Sequence, residues 1–81
     1  MLGMVDRQRI QQELNLARRA LKAGERQIAL QAQIVSDTVL SGRDPAPAQT
    51  ALGQLRNAQA VRVIEFDHLV SLLNLASATG K

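Results

Sequence analysis

Few residues in this 81-residue chain have side chains suited to catalysis or metal binding. His68 is the one histidine, and the chain has no cysteine. Glu65 and His68 are three residues apart, which is the spacing of the carboxylate–histidine pairs in di-iron helical bundles, but such a site needs two pairs and two further carboxylates. We therefore favour a surface or interface histidine over a metal ligand. With no glycine-rich phosphate loop and no Ser/His/Asp arrangement, the sequence predicts a non-enzymatic protein without metal or cofactor.

A basic cluster is the second chemical feature. Residues 7–26 hold six Lys or Arg against two Glu, in a chain of net charge +3. Four of these basic residues are predicted to lie together on the outer side of one helix: Arg18, Arg19, Lys22 and Arg26. Such a cluster can bind the phosphates of RNA or DNA, although no aromatic side chain is available there for base stacking. A solvated helix surface is the preferred interpretation, and nucleic-acid binding is the alternative.

The helices that position these residues are predicted from two rows of mostly apolar residues, spaced alternately four and three residues apart. The first row is Ile10, Leu14, Ala17, Leu21, Gly24, Ile28, Gln31, Val35 and Thr38. The second row is Ala48, Leu52, Leu55, Gln59, Arg62, Phe66, Leu69, Leu73 and Ala76. This spacing is typical of long helices that pack along one stripe. We predict an all-α fold with helices over about 5–41 and 45–78.

The stretch SGRDPAPAQT (residues 41–50) separates the two patterns. Gly42 can take the left-handed conformation that ends a helix. Asp44 is a preferred N-cap residue, and Pro45 suits the first helical position. A stop signal and a start signal this close together predict a turn at 42–44 and an antiparallel two-helix hairpin. We treat residues 1–81 as one domain.

The hairpin predicts which residues pack between the helices. They are Leu14, Leu21, Gly24, Ile28, Val35, Leu55, Phe66, Leu69 and Leu73. Folding about Asp44 places Gly24 opposite Glu65 or Phe66, so that a ring packs over the missing side chain. Alternatively, Gly24 is a weak spot in the helix.

Three polar residues occupy the same rows. Folding about Asp44 places Gln31 opposite Ala58 or Gln59. Gln31 and Gln59 either fix the register of the helices or reach out from the edge of the packing stripe. Arg62 either extends to solvent or pairs with Glu65.

More apolar surface is present than one hairpin can bury. The residues predicted to remain uncovered, and to form an oligomer interface, are Leu16, Leu30, Ile34, Val61, Ile64, Val70 and Leu72. Contiguous apolar surface of this kind marks an association site. We predict a homodimer in which two hairpins form a four-helix bundle. A domain-swapped dimer is disfavoured, because the caps at the turn oppose continuous helices.

The composition also bears on location and partners. The longest uncharged stretch, LVSLLNLASATG, is shorter than the ~20 residues that span a bilayer, and MLGMVDRQRI does not resemble a secretory signal. We expect a cytoplasmic protein without a membrane span that serves as an interaction, scaffold or regulatory module. The alternative is a nucleic-acid-binding dimer of hairpins like the plasmid copy-number modulators (Rop-like). A third option, docking of the second helix on a membrane or a larger protein, is weakened for membranes by its few basic residues.

Residues 25–52 resemble a group of small proteobacterial proteins of rhizobia-like bacteria. The shared pattern is E-R-x-I-x-x-Q-x-x-I-V followed by G-x-D and a second helix that opens with Ala and Leu. It is matched here by Glu25, Arg26, Ile28, Gln31, Ile34, Val35, Gly42, Asp44, Ala48 and Leu52. Pro45 stands where those proteins often have Thr, and the second helix here is more apolar. The resemblance implies a bacterial helical hairpin and no particular activity.

Overall fold

Two α-helices joined by a short turn form the hairpin. The computed structural model describes the backbone of residues 2–79 and the side chains of residues 7–77. Helix α1 spans Leu2–Leu40 and helix α2 spans Ala46–Thr79. They lie side by side in a rod 62 Å long and 14 Å wide. The predicted all-α hairpin is confirmed, and its helix ends differ from the predicted ones by at most three residues.

The end of α1 follows from the glycine in the turn. Gly42 has a φ of 74°, a left-handed conformation that only glycine adopts without steric cost. The N–H of Gly42 donates to the carbonyl of Val39 at 3.0 Å, and the N–H of Arg43 donates to the carbonyl of Thr38 at 3.1 Å. This pair of bonds is the Schellman motif, which satisfies carbonyls that the helix end would otherwise leave unpaired.

The start of α2 is capped by Asp44, the residue that follows Arg43. A carboxylate oxygen of Asp44 accepts a hydrogen bond from the N–H of Ala46 at 3.0 Å. Pro45, which has no N–H, immediately precedes α2, and its carbonyl accepts a hydrogen bond from the N–H of Gln49 at 2.8 Å. Because the two helices are separated by so few residues, α2 must return along α1 in the opposite direction.

The contact line between α1 and α2, here called the seam, contains both 4-3 rows. Every member of the two rows is buried or half-buried. Leu14 and Leu52 are the two buried hydrophobic side chains among residues 7–77, at 4% and 8% exposure. The other large apolar side chains in the rows, such as Phe66, remain half-buried. The core of a single hairpin is therefore thin.

The register of the helices differs from the prediction. Gly24 is buried, but the atoms facing it belong to Gln59 and Arg62 and not to Phe66. The predicted partner was wrong because the turn is centred on Arg43, midway between the observed helix ends, so each partner on α2 lies nearer the turn. Phe66 instead lies beside Arg18, whose guanidinium carbon is 5.9 Å from the ring centroid.

Two glutamines bridge the seam. The side-chain amide of Gln59 donates to the backbone carbonyl of Leu21 at 2.9 Å, and that of Gln31 donates to the carbonyl of Ala48 at 3.1 Å. Gln31 is thus far from its predicted partners Ala58 and Gln59. Both amides are part-buried and bound across the seam, which favours the register-fixing interpretation of these residues over the solvent-reaching one.

Candidate functional site

Large apolar side chains remain on the surface of the hairpin. Among residues 7–77, those with more than about two fifths of their area exposed are Leu16, Leu30, Ile34, Val39, Leu40, Val61, Val63, Ile64 and Leu75. Scattered surface leucines are ordinary, but contiguous apolar surface marks an interaction site. The question is therefore which of these side chains share a face.

The heptad position of each residue gives the answer. With Leu14 and Leu52 at position a, the seam is formed by the a and d positions of both helices. Helix α2 runs against α1, so the sense of rotation about its axis is reversed when the rod is viewed from one end. The g and c positions of the two helices consequently lie on one side of the seam, and the e and b positions lie on the other.

One side of the rod has most of the large apolar side chains. Those exposed at c positions are Leu16 at 63%, Leu30 at 67%, Val61 at 55% and Leu75 at 63%, and Ile34 at a g position is 49% exposed. The charged and titratable side chains on the same side are Arg9, Glu13, Asp37, Glu65 and His68. Leu72, at a g position, is half-buried, and two exposed alanines lie between the larger side chains. We call this surface the apolar face and define it as Leu16, Ala20, Leu30, Ile34, Ala58, Val61 and Leu72.

The structure separates the seven residues predicted as an oligomer interface. Five of them belong to the apolar face. Ile64 lies at an f position on the outer edge of α2 and is 68% exposed. Val70 lies at an e position, on the other side of the seam, and is half-buried. The five that share a face come from apolar rows beside the packing rows, whereas Ile64 and Val70 were predicted only because they are apolar residues outside the packing row.

The opposite side of the rod is charged. Its e and b positions include Arg18, Lys22, Glu25, Arg56 and Asp67, all of them exposed. We call this surface the charged face. It also contains Val63, at 42% exposure. Both sides of the hairpin have charged residues, but the exposed large apolar side chains are concentrated on the side of the apolar face.

The basic cluster predicted from the sequence lies away from the apolar face. Arg19 and Arg26 occupy f positions on the outer edge of α1, and Arg18 and Lys22 belong to the charged face. All four side chains are exposed. Arg18 leans across the seam onto Phe66, a cation–π contact of about 0.5–1 kcal/mol at an exposed site.

His68 and Glu65 lie on the apolar side of α2, at c and g positions. Both side chains are exposed. Within residues 7–77, no three His, Asp or Glu side chains come close enough together to hold a metal ion.

The sequence did not reveal a polar chain at the centre of the seam. Arg62 Nη1 donates to Gln59 Oε1 at 3.3 Å, while the amide nitrogen of Gln59 binds the carbonyl of Leu21 at 2.9 Å. Arg62 thus pairs with a glutamine three residues earlier on the same helix, whereas the sequence predicted either Glu65 or solvent. Gly24 makes room for this chain, because a Cβ there would lie 2.8 Å from Gln59 Cδ and 2.9 Å from Arg62 Nη1. The feature of the sequence that could have predicted this polar chain is the presence of Gly24 in one packing row and Gln59 in the other.

Comparisons with protein-family models, with curated proteins and with solved structures gave no match to this chain. The resemblance to small proteobacterial proteins therefore stays a prediction. Neither helix contains, within its described residues, an apolar stretch long enough to cross a membrane.

Proposed function

We propose that this protein is a non-enzymatic association module that works as a homodimer, in which two hairpins form an antiparallel four-helix bundle. Such a bundle would serve as a scaffold or regulatory unit through its outer surfaces. The observation that carries the proposal is the apolar face, which a single hairpin leaves in water.

The total surface of the chain supports self-association. The hairpin has an accessible surface of 6202 Å². A compact monomer of 8.8 kDa is expected to expose ~4,800 Å². The excess of ~1,400 Å² is the surface that a thin rod cannot hide, and covering one side of the rod would remove a large part of it.

The composition of the seam adds to this argument. Of its positions, Gly24 has no side chain, and Gln31, Gln59 and Arg62 contribute polar groups. The apolar side chains that would complete a core lie on the apolar face instead. Fully burying one Leu or Ile side chain contributes about 1.5–3 kcal/mol, so covering Leu30 and its neighbours would stabilise a small domain substantially.

The residue types also support a non-enzymatic role. Nucleophilic catalysis needs an activated nucleophile with a base beside it. The chain has no cysteine and a single histidine, and that histidine is exposed on the outside of α2. Association explains the exposed apolar face, whereas an enzymatic reaction would not require it.

Sedimentation equilibrium at micromolar protein concentration tests the proposal. We expect a mass of twice 8.8 kDa, with dissociation on dilution accompanied by loss of helicity in circular dichroism. A helical and cooperatively unfolding monomer of 8.8 kDa at the same concentration would contradict it.

A second candidate function is binding of RNA or DNA phosphates by the basic cluster. The observation that favours it is the position of the cluster, because Arg18, Arg19, Lys22 and Arg26 are exposed and none of them lies on the apolar face. A dimer that covers the apolar face would leave the cluster accessible.

Mobility shift of labelled RNA and DNA at low salt tests this candidate. Binding through phosphates must weaken steeply as salt rises, because bound counterions are released. The double variant Arg19→Glu, Lys22→Glu should abolish the shift. The matched control, Arg43→Glu together with Arg56→Glu, changes the net charge by the same amount outside the cluster and should retain most of the shift. No shift of the unmodified protein at low salt would remove this candidate.

A further inference from the structure

We infer that the occupant of the apolar face is a second copy of the same chain, packed face to face, so that the charged faces and basic clusters of both copies point outward. This inference rests on the proposed self-association and deepens it, since it assigns the interface to one side of the hairpin. The surface involved is the apolar face around Leu16, Leu30, Ile34, Val61 and Leu72.

The dimensions of the hairpin suit such an interface. One side of the rod is 62 Å long and 14 Å wide. The product of these lengths is close to the ~800 Å² per partner that stable specific interfaces bury. One side is therefore large enough for a stable dimer, and the copies do not need to wrap around each other.

Symmetry favours the apolar face over the charged one. In a dimer with a two-fold axis the same patch is used by both copies, so residues near the axis face their own symmetry mates. The charged face has three cations, Arg18, Lys22 and Arg56, and two carboxylates, Glu25 and Asp67, so burying it would leave at least one cation per copy without a carboxylate of that face. Removing such a group from water without a partner is strongly unfavourable. The one cation at a described c or g position is Arg9, seven residues before Leu16.

The apolar face also alternates large and small side chains. Ala20 lies between Leu16 and Leu30 on α1, and Ala58 lies beside Val61 on α2. Helices pack when the large side chains of one enter the spaces over the small side chains of the other. A surface with both kinds of position can fit a second copy of itself.

Two substitutions of equal exposure test the face. Leu30→Glu places a charge on the apolar face, and Ile64→Glu places the same charge on the outer edge of α2. The two native side chains are 67% and 68% exposed in the hairpin, so neither change disturbs the seam. We expect Leu30→Glu to weaken self-association at least tenfold in sedimentation velocity, and Ile64→Glu to leave it within twofold.

The possible results distinguish a failure of the proposed self-association from a failure of its assignment to the apolar face. A monomeric unmodified protein would overturn the proposed self-association itself. A dimer that tolerates Leu30→Glu, or that Ile64→Glu weakens as much, would overturn only the assignment to the apolar face.

A labelling experiment decides the matter even where Leu30→Glu loses its helicity. The chain has no native cysteine, so a single nitroxide label can be attached at Ala58→Cys or, as its control, at Ala60→Cys. Both alanines are exposed in the hairpin, but Ala58 lies on the apolar face and Ala60 on the opposite side. We expect the label at residue 58 to lose mobility on association and the label at residue 60 to keep it. The reverse pattern, or equal mobility in the dimer, would overturn the inference.

Discussion

At the scale of single residues, Gly24 leaves space that the side chains of Gln59 and Arg62 occupy. A glycine among the packing residues of a long helix predicts that a large side chain lies opposite, and the two predicted candidates were Glu65 and Phe66. The structure has Gln59 and Arg62 there instead. That a large group lies opposite Gly24 was predictable from the residue type. Its partner was not, because an error of about one residue in the centre of the turn shifts every pairing along the seam by about two residues.

Replacing Gly24 by leucine should destabilise the hairpin. The new side chain would collide with the amide of Gln59 and break its bond to the carbonyl of Leu21. Overpacking of this kind costs about 1–3 kcal/mol. The matched control is Gly53→Leu, since a Cβ at Gly53 meets nothing within 4 Å. That change should be neutral or stabilising by up to about 1 kcal/mol, because leucine favours a helix more than glycine does.

Urea unfolding at one fixed protein concentration measures both changes, since self-association would otherwise alter the apparent stability. Adding Gln59→Ala to Gly24→Leu should recover part of the loss by removing the colliding amide. Equal stabilities for Gly24→Leu and Gly53→Leu would show that the packing of Gln59 and Arg62 against Gly24 contributes nothing to the free energy of unfolding.

At the scale of the elements, the turn was the part of the fold most completely predicted. Its signals are local, since Gly42, Asp44 and Pro45 each act on backbone groups within a few residues. The left-handed glycine and the cap at Asp44 are both present. The register could not be predicted in this way. It depends on side chains such as Gln31 and Gln59, whose partners lie 17 and 38 residues away in the chain.

Replacing Gly42 by alanine should destabilise the hairpin by about 1–2 kcal/mol, the cost of the left-handed conformation for a residue with a Cβ. No atom lies within 4 Å of a Cβ placed there, so the effect would come from the backbone alone. Gly42→Asn should cost less, because asparagine tolerates this conformation. Thermal and urea unfolding at a fixed concentration would measure both variants. An alanine variant as stable as the asparagine variant would contradict the argument.

At the scale of the whole molecule, the exposed large apolar side chains are concentrated on one side of the hairpin. The sequence predicted a surplus of apolar residues, most of them in rows beside the two packing rows. Placing those rows on one side needs the heptad position of each residue together with the antiparallel direction of α2. Once both are known, five of the seven predicted interface residues lie on the apolar face. Ile64 and Val70 lie elsewhere and explain no part of it.

The apolar side of α2 also has one carboxylate, which leads to a prediction about affinity. Glu65 lies at a g position and is exposed in the single hairpin. A second copy on the apolar face would take this carboxylate partly out of water, which opposes association. Glu65→Gln preserves the shape and removes the charge, so it should tighten the dimer about three- to tenfold, which corresponds to about 1 kcal/mol.

Sedimentation equilibrium at neutral pH and constant ionic strength would measure the change, with Asp67→Asn as the matched control. Asp67 is also exposed, but it belongs to the charged face, so its neutralisation should leave the dimer affinity unchanged. Both variants raise the net charge of the chain above +3, which opposes self-association, so equal tightening by both would show that Glu65 has no special position in the dimer. Weaker association of Glu65→Gln would mean that the carboxylate binds a partner across the interface. Either result would contradict the prediction that burial of the Glu65 carboxylate opposes association.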